Sequence, residues 1–311
     1  MALQITLRRM TRLLVASAAA LVLTVHAPAE QRGASILIDA VAVDGNGNPV
    51  LDLRPGDLDV RVGQLHVPVE SLELVTPESP NREGRIVILL MDDITLPQSE
   101  VPRAREAANR FVSRMLPGDS MALVLLNNPV FESTDDPAKL RGAISRYNTT
   151  ATGVLRVDDL AEHVFGTVQS IARGISEAGD GRKVIVGIGS GGLFDRPIPP
   201  PNTGTGKNLL PNWIACMKAL ANAHAAFYVI YPTSIGMTRA DSGDTGFARE
   251  TGGHAFIGTN DLNLAADRIL KETANYYLIR VASPPTGGSG LRELQIKTSR
   301  RGVTIRARKA I

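Results

Sequence analysis

The residues best suited to chemistry in this chain stand together, directly after the apolar run from Arg85 to Met91. Two carboxylates and a hydroxyl follow that run: Asp92, Asp93 and Thr95. The run is too short for a helix and does not alternate, which is typical of a central strand in a parallel sheet. In open α/β sheets, ligands bind at the C-terminal ends of the strands. These three side chains are therefore candidates for binding a hard cation through oxygen ligands.

The elements that would position this acidic loop alternate between strand and helix from Arg85 onward. Strands are predicted at 85–92, 120–127, 183–189, 226–231 and 254–257, and helices at 98–116, 136–147, 157–179, 207–225, 243–251 and 261–275. Alternation at this spacing predicts an α/β domain with a doubly wound, mostly parallel, Rossmann-like sheet. We expect the loop 92–95 to lie beside the segments 149–153 and 188–195, because all three belong to the C-terminal edge of that sheet.

Short β segments precede and follow this domain. Residues 34–75 alternate in the manner of strands and are punctuated by turns, and the same pattern returns after residue 276. We expect the two sets to pack as one flanking β domain. The predicted divisions are a signal peptide at 1–29, an N-terminal β region at 30–80, the α/β domain at 84–275, and C-terminal strands at 276–311. The Pro- and Gly-rich loop 191–207 is predicted to be an insertion or a lid at the functional edge.

The first 29 residues have the pattern of a secretory signal peptide. Three arginines precede an apolar stretch from Leu13 to Val25, which is short for a membrane span, and Ala27-Pro28-Ala29 is a small-residue cleavage site. We expect cleavage before Glu30, export to the periplasm or the extracellular space, and no stable membrane span afterwards. An uncleaved membrane anchor is the alternative.

The charge balance does not favour a nucleic-acid partner. The chain has 34 basic and 31 acidic residues, and removal of Arg8, Arg9 and Arg12 with the signal peptide leaves 31 of each. No nucleic acid is therefore expected as a partner. A local basic excess remains near the C-terminus, where alternation with apolar residues predicts the solvated face of a half-buried strand: Arg292, Lys297, Arg300, Arg301, Arg306, Arg308 and Lys309.

The mature chain resembles a bacterial exported family named for a VWFA-related domain, of the type abundant in acidobacteria. Three groups of segments carry the resemblance: 37–50 with 53–60 and Gly63; 89–93 with 103–114 and 116–119; and 250–256 with 259–262, 276–278 and 301–309. The resemblance implies a von Willebrand factor A-like fold. It does not imply a defined biochemical activity.

The resemblance also implies a metal-ion-dependent adhesion site, which this sequence keeps only in part. Such a site takes one Asp and two hydroxyls from a first loop, a Thr from a second and an Asp from a third. The first loop offers Asp92, Asp93 and Thr95 without the expected serines, Thr152 offers the second-loop hydroxyl, and Asp195 comes several residues too late. We assign Asp92, Asp93, Thr95 and Thr152 as ligands of a degenerate site. It would bind Mg²⁺ or Ca²⁺ weakly at best, or stay metal-free with Asp92 bonded to the loops.

Three other candidate sites do not have the neighbouring residues that their chemistry would require. Residues 187–192 match G-x-G-x-x-G, but proline-rich sequence follows in place of the helix that a dinucleotide site requires. Ser190 has Ile188 where a hydrolase nucleophile elbow requires glycine. Cys216 lies in an apolar helical pattern, which predicts a buried structural thiol. No catalytic residue and no organic cofactor are expected.

The sequence therefore predicts an exported, non-enzymatic protein-interaction module of the adhesion or scaffold type. Its partner would be a protein or peptide that binds at the C-terminal edge of the sheet. A metal-dependent accessory factor or enzyme of the cell envelope is the alternative. A structural envelope protein that binds through its β domain is a third hypothesis.

Overall fold

A computed structural model describes the chain over residues 35–80, 82–129, 132–150, 156–179, 181–190, 193–194, 206–232, 246–257, 261–283 and 291–311. The predicted signal peptide, Thr152, Asp195 and most of the loop 191–207 lie outside these residues. Within them, no helix is both long enough and apolar enough to cross a bilayer.

Strands and helices follow one another as the sequence predicts from residue 86 onward. The strands are β1 (Ser35–Val43), β2 (Leu58–Val62), β3 (Leu65–Val67), β4 (Val69–Val75), β5 (Ile86–Met91), β6 (Ser120–Leu125), β7 (Lys183–Ile188), β8 (Ala225–Ile230), β9 (Ala255–Phe256), β10 (Tyr276–Ala282), β11 (Leu294–Thr298) and β12 (Thr304–Ala307). The α-helices are α1 (Val101–Ser113), α2 (Pro137–Arg146), α3 (Val157–Ser176), α4 (Leu210–Ala223), α5 (Gly246–Thr251) and α6 (Leu262–Ala274).

The central sheet is parallel, with the strand order β6-β5-β7-β8-β9. Alternate residues of β5 enter two separate cores. Ile88 and Leu90 pack with residues of α3, α4 and α5, whereas Val87, Leu89 and Met91 pack with residues of α1, α2 and α6. Burial on both faces explains why β5 is apolar throughout. The predicted doubly wound α/β fold is confirmed.

Strands from the two ends of the described chain pair with each other. One antiparallel sheet has the order β12-β1-β10-β4 and a second has the order β11-β2-β3. Their facing side chains share one core, which includes Ile38, Val60, Ile279 and Leu294. The two sheets therefore form a β-sandwich, as the flanking β segments of the sequence predict.

The prediction of a solvated basic face on the last strand is wrong for Arg306, in β12, and for Arg308, which follows β12. Arg308 is only 9% exposed; it donates to the carbonyl of Leu37 and lies 3.5 Å from a carboxylate oxygen of Asp39. Arg306 is 14% exposed at its side chain and forms an ion pair with the buried Glu272 of α6. Because the first sheet of the sandwich is covered on both faces, these cations need buried acidic partners.

Cys216 lies in α4 and is fully buried, as predicted. Burial in apolar surroundings raises the pKa of its thiol to about 12, because the thiolate would lose its solvation there. The thiol is therefore protonated at neutral pH and has no nucleophilic character.

Candidate functional site

Asp92 follows the last residue of β5 and is fully buried. Its Oδ1 accepts hydrogen bonds from the backbone N–H groups of Ile94 (3.0 Å) and Thr95 (2.7 Å). Its Oδ2 lies within hydrogen-bonding distance of the Thr95 hydroxyl (2.6 Å), the Ser190 N–H (3.1 Å) and the Ser190 hydroxyl (3.2 Å). A carboxylate has about four lone-pair positions, so protein donors fill its acceptor capacity.

The first and third loops meet around this carboxylate. The hydroxyls of Thr95 and Ser190 also contact each other, and the N–H of Asp92 donates to the carbonyl of Ile188 (2.9 Å). Gly189 permits the close approach, because a Cβ at that position would lie only 2.7 Å from the Cβ of Asp92.

Gly189→Ala should therefore destabilise the fold. The added methyl would push Asp92 away from Ser190, and overpacking of this kind costs about 1–3 kcal/mol. Urea unfolding of the variant and the wild type measures the difference. Gly142→Ala is the control, because its Cβ would meet only an arginine side-chain atom at 3.5 Å in α2. Equal stability of Gly189→Ala and wild type would contradict the close packing of the two loops.

The second loop is joined to the first through main-chain oxygens. Tyr147 is buried and its hydroxyl donates to the carbonyl of Asp92 (2.6 Å). The N–H and hydroxyl of Thr150 donate to the carbonyl of Asp93 (3.0 and 3.2 Å). All three predicted loops therefore meet at the C-terminal edge of the sheet, within the described part of each.

Asp93 is 5% exposed, and its Oδ1 accepts a hydrogen bond from the N–H of Asn127 (2.8 Å). Burial raises the pKa of this carboxyl and the charge of Asp92 adds to the rise, although the Asn127 hydrogen bond opposes it. With its side chain almost fully buried and one oxygen held by the N–H of Asn127, Asp93 is a poor substitute for the missing acid of the third loop.

The described residues do not fit a strong divalent-metal site. A hard cation takes six or more oxygens, yet Asp92 is saturated by protein donors, and the hydroxyls of Thr95 and Ser190 direct their protons into the same network. Thr152, the remaining assigned ligand, lies outside the described residues. In the part of the chain that the structure covers, no group of three or more His, Cys, Asp and Glu residues has the arrangement of a metal site.

Addition of metal should consequently change stability very little. Stabilisation follows RT ln(1 + [L]/Kd), so roughly 1 mM Mg²⁺ or Ca²⁺ with a millimolar Kd adds about 0.4 kcal/mol. For a protein of this size, that corresponds to a shift in melting temperature of about 1 °C. Thermal melts in Mg²⁺, Ca²⁺ and EDTA should nearly coincide. A shift of many degrees that Asp92→Ala abolishes would reveal a working metal centre.

The sequence predicts where the acidic loop lies but not three of its contacts. These are made by Ser190, Tyr147 and Asn127, none of which the sequence predicts as a partner of Asp92 or Asp93. The hydroxyl at the end of a predicted strand was a usable signal for Ser190. Nothing in the local sequence marks Tyr147, which is a core residue whose hydroxyl happens to reach a carbonyl.

The described residues on the exposed rim of this site include several amides. Gln98, Asn127, Asn128, Asn148 and Thr150 are all exposed. The Gln98 amide donates to Asn148 (2.8 Å), which ties the first loop to the second. Amide and hydroxyl groups can donate and accept at once, so this rim suits a partner that presents neutral hydrogen-bonding groups.

No protein-family model and no curated protein sequence matches this chain. Among solved structures, the human COPII-coat protein Sec24c is similar with a TM-score of 0.40 and 7% identity, over 77% of this chain and 46% of that one. The ArnB paralog VWA2 from Sulfolobus acidocaldarius has a TM-score of 0.36 and 9% identity, over 90% of this chain and 74% of that one. The chain thus spans about half the length of the Sec24c chain. Similarity this low supports no statement about function, and the resemblance to the exported bacterial family stays a prediction.

Proposed function

We propose that this protein is an exported, non-enzymatic protein-interaction module whose partner binds at the C-terminal edge of the central sheet. The observation that carries the proposal is the carboxylate of Asp92, to which five protein donors from the first and third loops converge. A group saturated in this way is unsuited to acid–base work or to strong metal binding. It holds the loops in one arrangement, so the site is a degenerate adhesion site that acts without metal.

A rigid edge of this kind favours binding because little conformational entropy is lost when a partner docks. The partner that fits the amides of this rim best is a segment of protein that presents its backbone N–H and C=O groups. Asn148 is exposed on the second loop, and its side-chain N–H groups can contact such a partner, because only its oxygen is used, as the acceptor from Gln98.

The test is capture by the immobilised protein from the envelope and secreted fractions of its source, in EDTA and in Mg²⁺. A captured protein is then purified and titrated against three forms: wild type, Asn148→Lys at the rim, and Asn109→Lys on the exposed face of α1. The two variants make the same chemical change at different places. A lysine in the interface buries an unpaired charge and should weaken binding about tenfold or more.

We expect wild type and Asn109→Lys to bind the purified partner equally, with the same Kd in EDTA and in Mg²⁺. Equal binding by Asn148→Lys would place the interface elsewhere. Loss of binding in EDTA would favour a metal-dependent accessory factor, and the absence of any saturable partner would count against an interaction module.

Export is part of the same proposal and has its own test. If the signal peptide is removed as the Ala27-Pro28-Ala29 pattern predicts, protein recovered from the periplasm or medium should begin at Glu30. N-terminal sequencing of the protein from its source decides this. A chain that begins at Met1 and stays with the membrane would support the uncleaved anchor instead.

A further inference from the structure

A second concave site lies away from the acidic loop, where the β-sandwich meets α5, α6 and β9. Its cavity has a volume of about 630 Å³, within the range of small-molecule sites. Four segments line it: the turn after β1, the connection from α5 to β9, the second half of α6, and β12 with the residues that follow it.

None of the described residues that line this cavity belongs to the loops around Asp92 or to the amide-rich rim. Helix α6 runs back along the sheet, and its last turn lies beside the start of β5, because Arg85 donates to the carbonyl of Leu270 (3.1 Å) and the hydroxyl of Thr273 (2.9 Å). Asp92 is at the other end of β5. A ligand in the cavity would therefore not use the rim proposed above as the interaction surface.

Cationic side chains dominate the lining. Four come from three elements: Arg249, Arg268, Arg306 and Lys309. Only two carboxylates, those of Asp44 and Glu272, face them. Glu272 is 2% exposed and pairs with Arg306 at the base of the cavity, so this pair is internally compensated.

The second carboxylate of the lining, that of Asp44, is held by hydrogen bonds within its own turn. Asp44 accepts hydrogen bonds from the N–H of Asn46 (2.9 Å) and from the N–H and side-chain amide of Asn48 (2.8 and 3.2 Å), which close the turn after β1. Asp44 is thus directed into its own turn, and it forms no ion pair with a described cation of the lining.

Two cations of the lining lack acidic partners in the described part of the chain. Arg249 pairs with Glu250 (2.9 Å), but the side chains of Arg268 and Lys309 are exposed and have no ion pair among the described residues. Arg268 comes from α6 and Lys309 follows β12, so two separate segments bring positive charge to one cavity. Such an arrangement selects an anion with more than one negative charge.

The remaining walls are apolar and tightly fixed. Phe256 and Ile305 are half-buried in the lining. Gly252 has a φ of +79°, and a Cβ there would lie 2.5 Å from the carbonyl carbon of Ala307. The turn from α5 to β9 therefore rests directly on β12, and both walls are held in place.

We infer that this cavity binds a small organic dianion. Arg268 and Lys309 would hold its phosphate or carboxylate groups, and its carbon skeleton would lie against Phe256 and Ile305. Arginine offers paired N–H groups that match either kind of oxyanion. The inference goes beyond the proposed interaction function and does not depend on it.

The test is calorimetric titration of the full chain with pyrophosphate and, separately, with succinate, at one fixed ionic strength. The informative variant is Arg268→Gln/Lys309→Gln. Its matched control is Lys297→Gln/Arg301→Gln, which removes the same charge from exposed positions outside the lining. All of these side chains are exposed, so the melting temperatures of both double variants should equal that of the wild type.

We expect saturable binding of at least one of the two anions to the wild type and the control. The Arg268/Lys309 variant should bind it about tenfold more weakly or worse, as expected for the loss of charge-assisted hydrogen bonds. Binding of pyrophosphate alone identifies a phosphate ligand, and binding of succinate alone identifies a dicarboxylate. Equal weakening in the control, or no saturable binding of either anion below roughly 10 mM, would overturn the inference. Asn148→Lys should leave anion binding unchanged, which separates this test from that of the interaction surface.

Discussion

Replacement of Asp119 by Ala should lower the free energy of unfolding by about 3–5 kcal/mol, the usual cost of removing one partner from a buried ion pair. The carboxylate of Asp119 precedes β6, and its side chain is only 1% exposed. Its Oδ2 accepts from Nε (3.1 Å) and a terminal nitrogen (2.5 Å) of Arg85, and its Oδ1 accepts from Arg82 (2.6 Å). Without this carboxylate the guanidinium of Arg85, itself 2% exposed, would be a buried and uncompensated charge.

The effect should be large because Arg85 links several elements. Besides Asp119, its guanidinium donates to Leu270 and Thr273 in the last turn of α6. The backbone N–H of Arg85 also donates to Oδ1 of Asp119 (2.9 Å). One polar network thus holds together the starts of β5 and β6 and the end of α6. Removal of one member of such a network lowers the stability by more than the loss of a single isolated hydrogen bond would.

Urea unfolding at pH 7 measures the change directly. Asp135→Ala is the control, because Asp135 is exposed in the segment before α2, and surface substitutions usually change stability by less than about 0.5 kcal/mol. A loss of less than about 1 kcal/mol for Asp119→Ala would show that the pair contributes little to the fold.

The same variant should alter the acid dependence of stability. Burial opposes ionisation of Asp119, but the hydrogen bonds and charge of Arg85 outweigh it and hold the pKa below the ordinary value of 3.8. A lowered folded-state pKa adds stability that is fully present above the unfolded pKa and is lost as the pH falls through the folded pKa. The difference in stability between wild type and Asp119→Ala should therefore be constant near neutral pH and shrink below pH 3.8. A difference that does not vary with pH would contradict this coupling.

The part of the fold that sequence could predict is the part governed by local burial. Every residue from Ile86 to Met91 is apolar, because helices cover both faces of β5. The predicted strand 85–92 accordingly differs from the observed Ile86–Met91 by one residue at each end. The helix predicted over 261–275 is also observed, and Asp261 is its N-cap, since the carboxylate of Asp261 accepts from the N–H of Leu264 (2.8 Å).

The part that sequence could not predict depends on residues that are distant in the chain. Ser190 reaches Asp92 across 98 positions, and no spacing rule connects a serine after one strand to a carboxylate after another. The arginines of β12 show the same limit. Alternation alone assigned Arg306 and Arg308 to a solvated face, but the acids that pair with them lie in α6 and β1, and only the packing of the sandwich against α6 brings them together.

Asp92→Ala should cost about 3–5 kcal/mol, in EDTA as much as in Mg²⁺. The change removes the acceptor of three backbone N–H groups, those of Ile94, Thr95 and Ser190, at a buried position. Each buried donor left without an acceptor costs about 1–3 kcal/mol. The Thr95 and Ser190 hydroxyls limit the loss, because they already contact each other.

Two variants separate this structural role from a metal-binding one. Asp92→Asn keeps one acceptor oxygen and should lose less stability than Asp92→Ala, whereas Asp93→Asn keeps the oxygen that accepts from Asn127 and should lose about 1 kcal/mol or less. Urea unfolding of all three variants in EDTA tests the order. If Asp92 served mainly as a metal ligand, its replacement would cost little in EDTA and would abolish a stabilisation seen only in Mg²⁺. The hydrogen bonds around Asp92 predict the reverse, because donors of the first and third loops occupy the carboxylate positions that a cation would need.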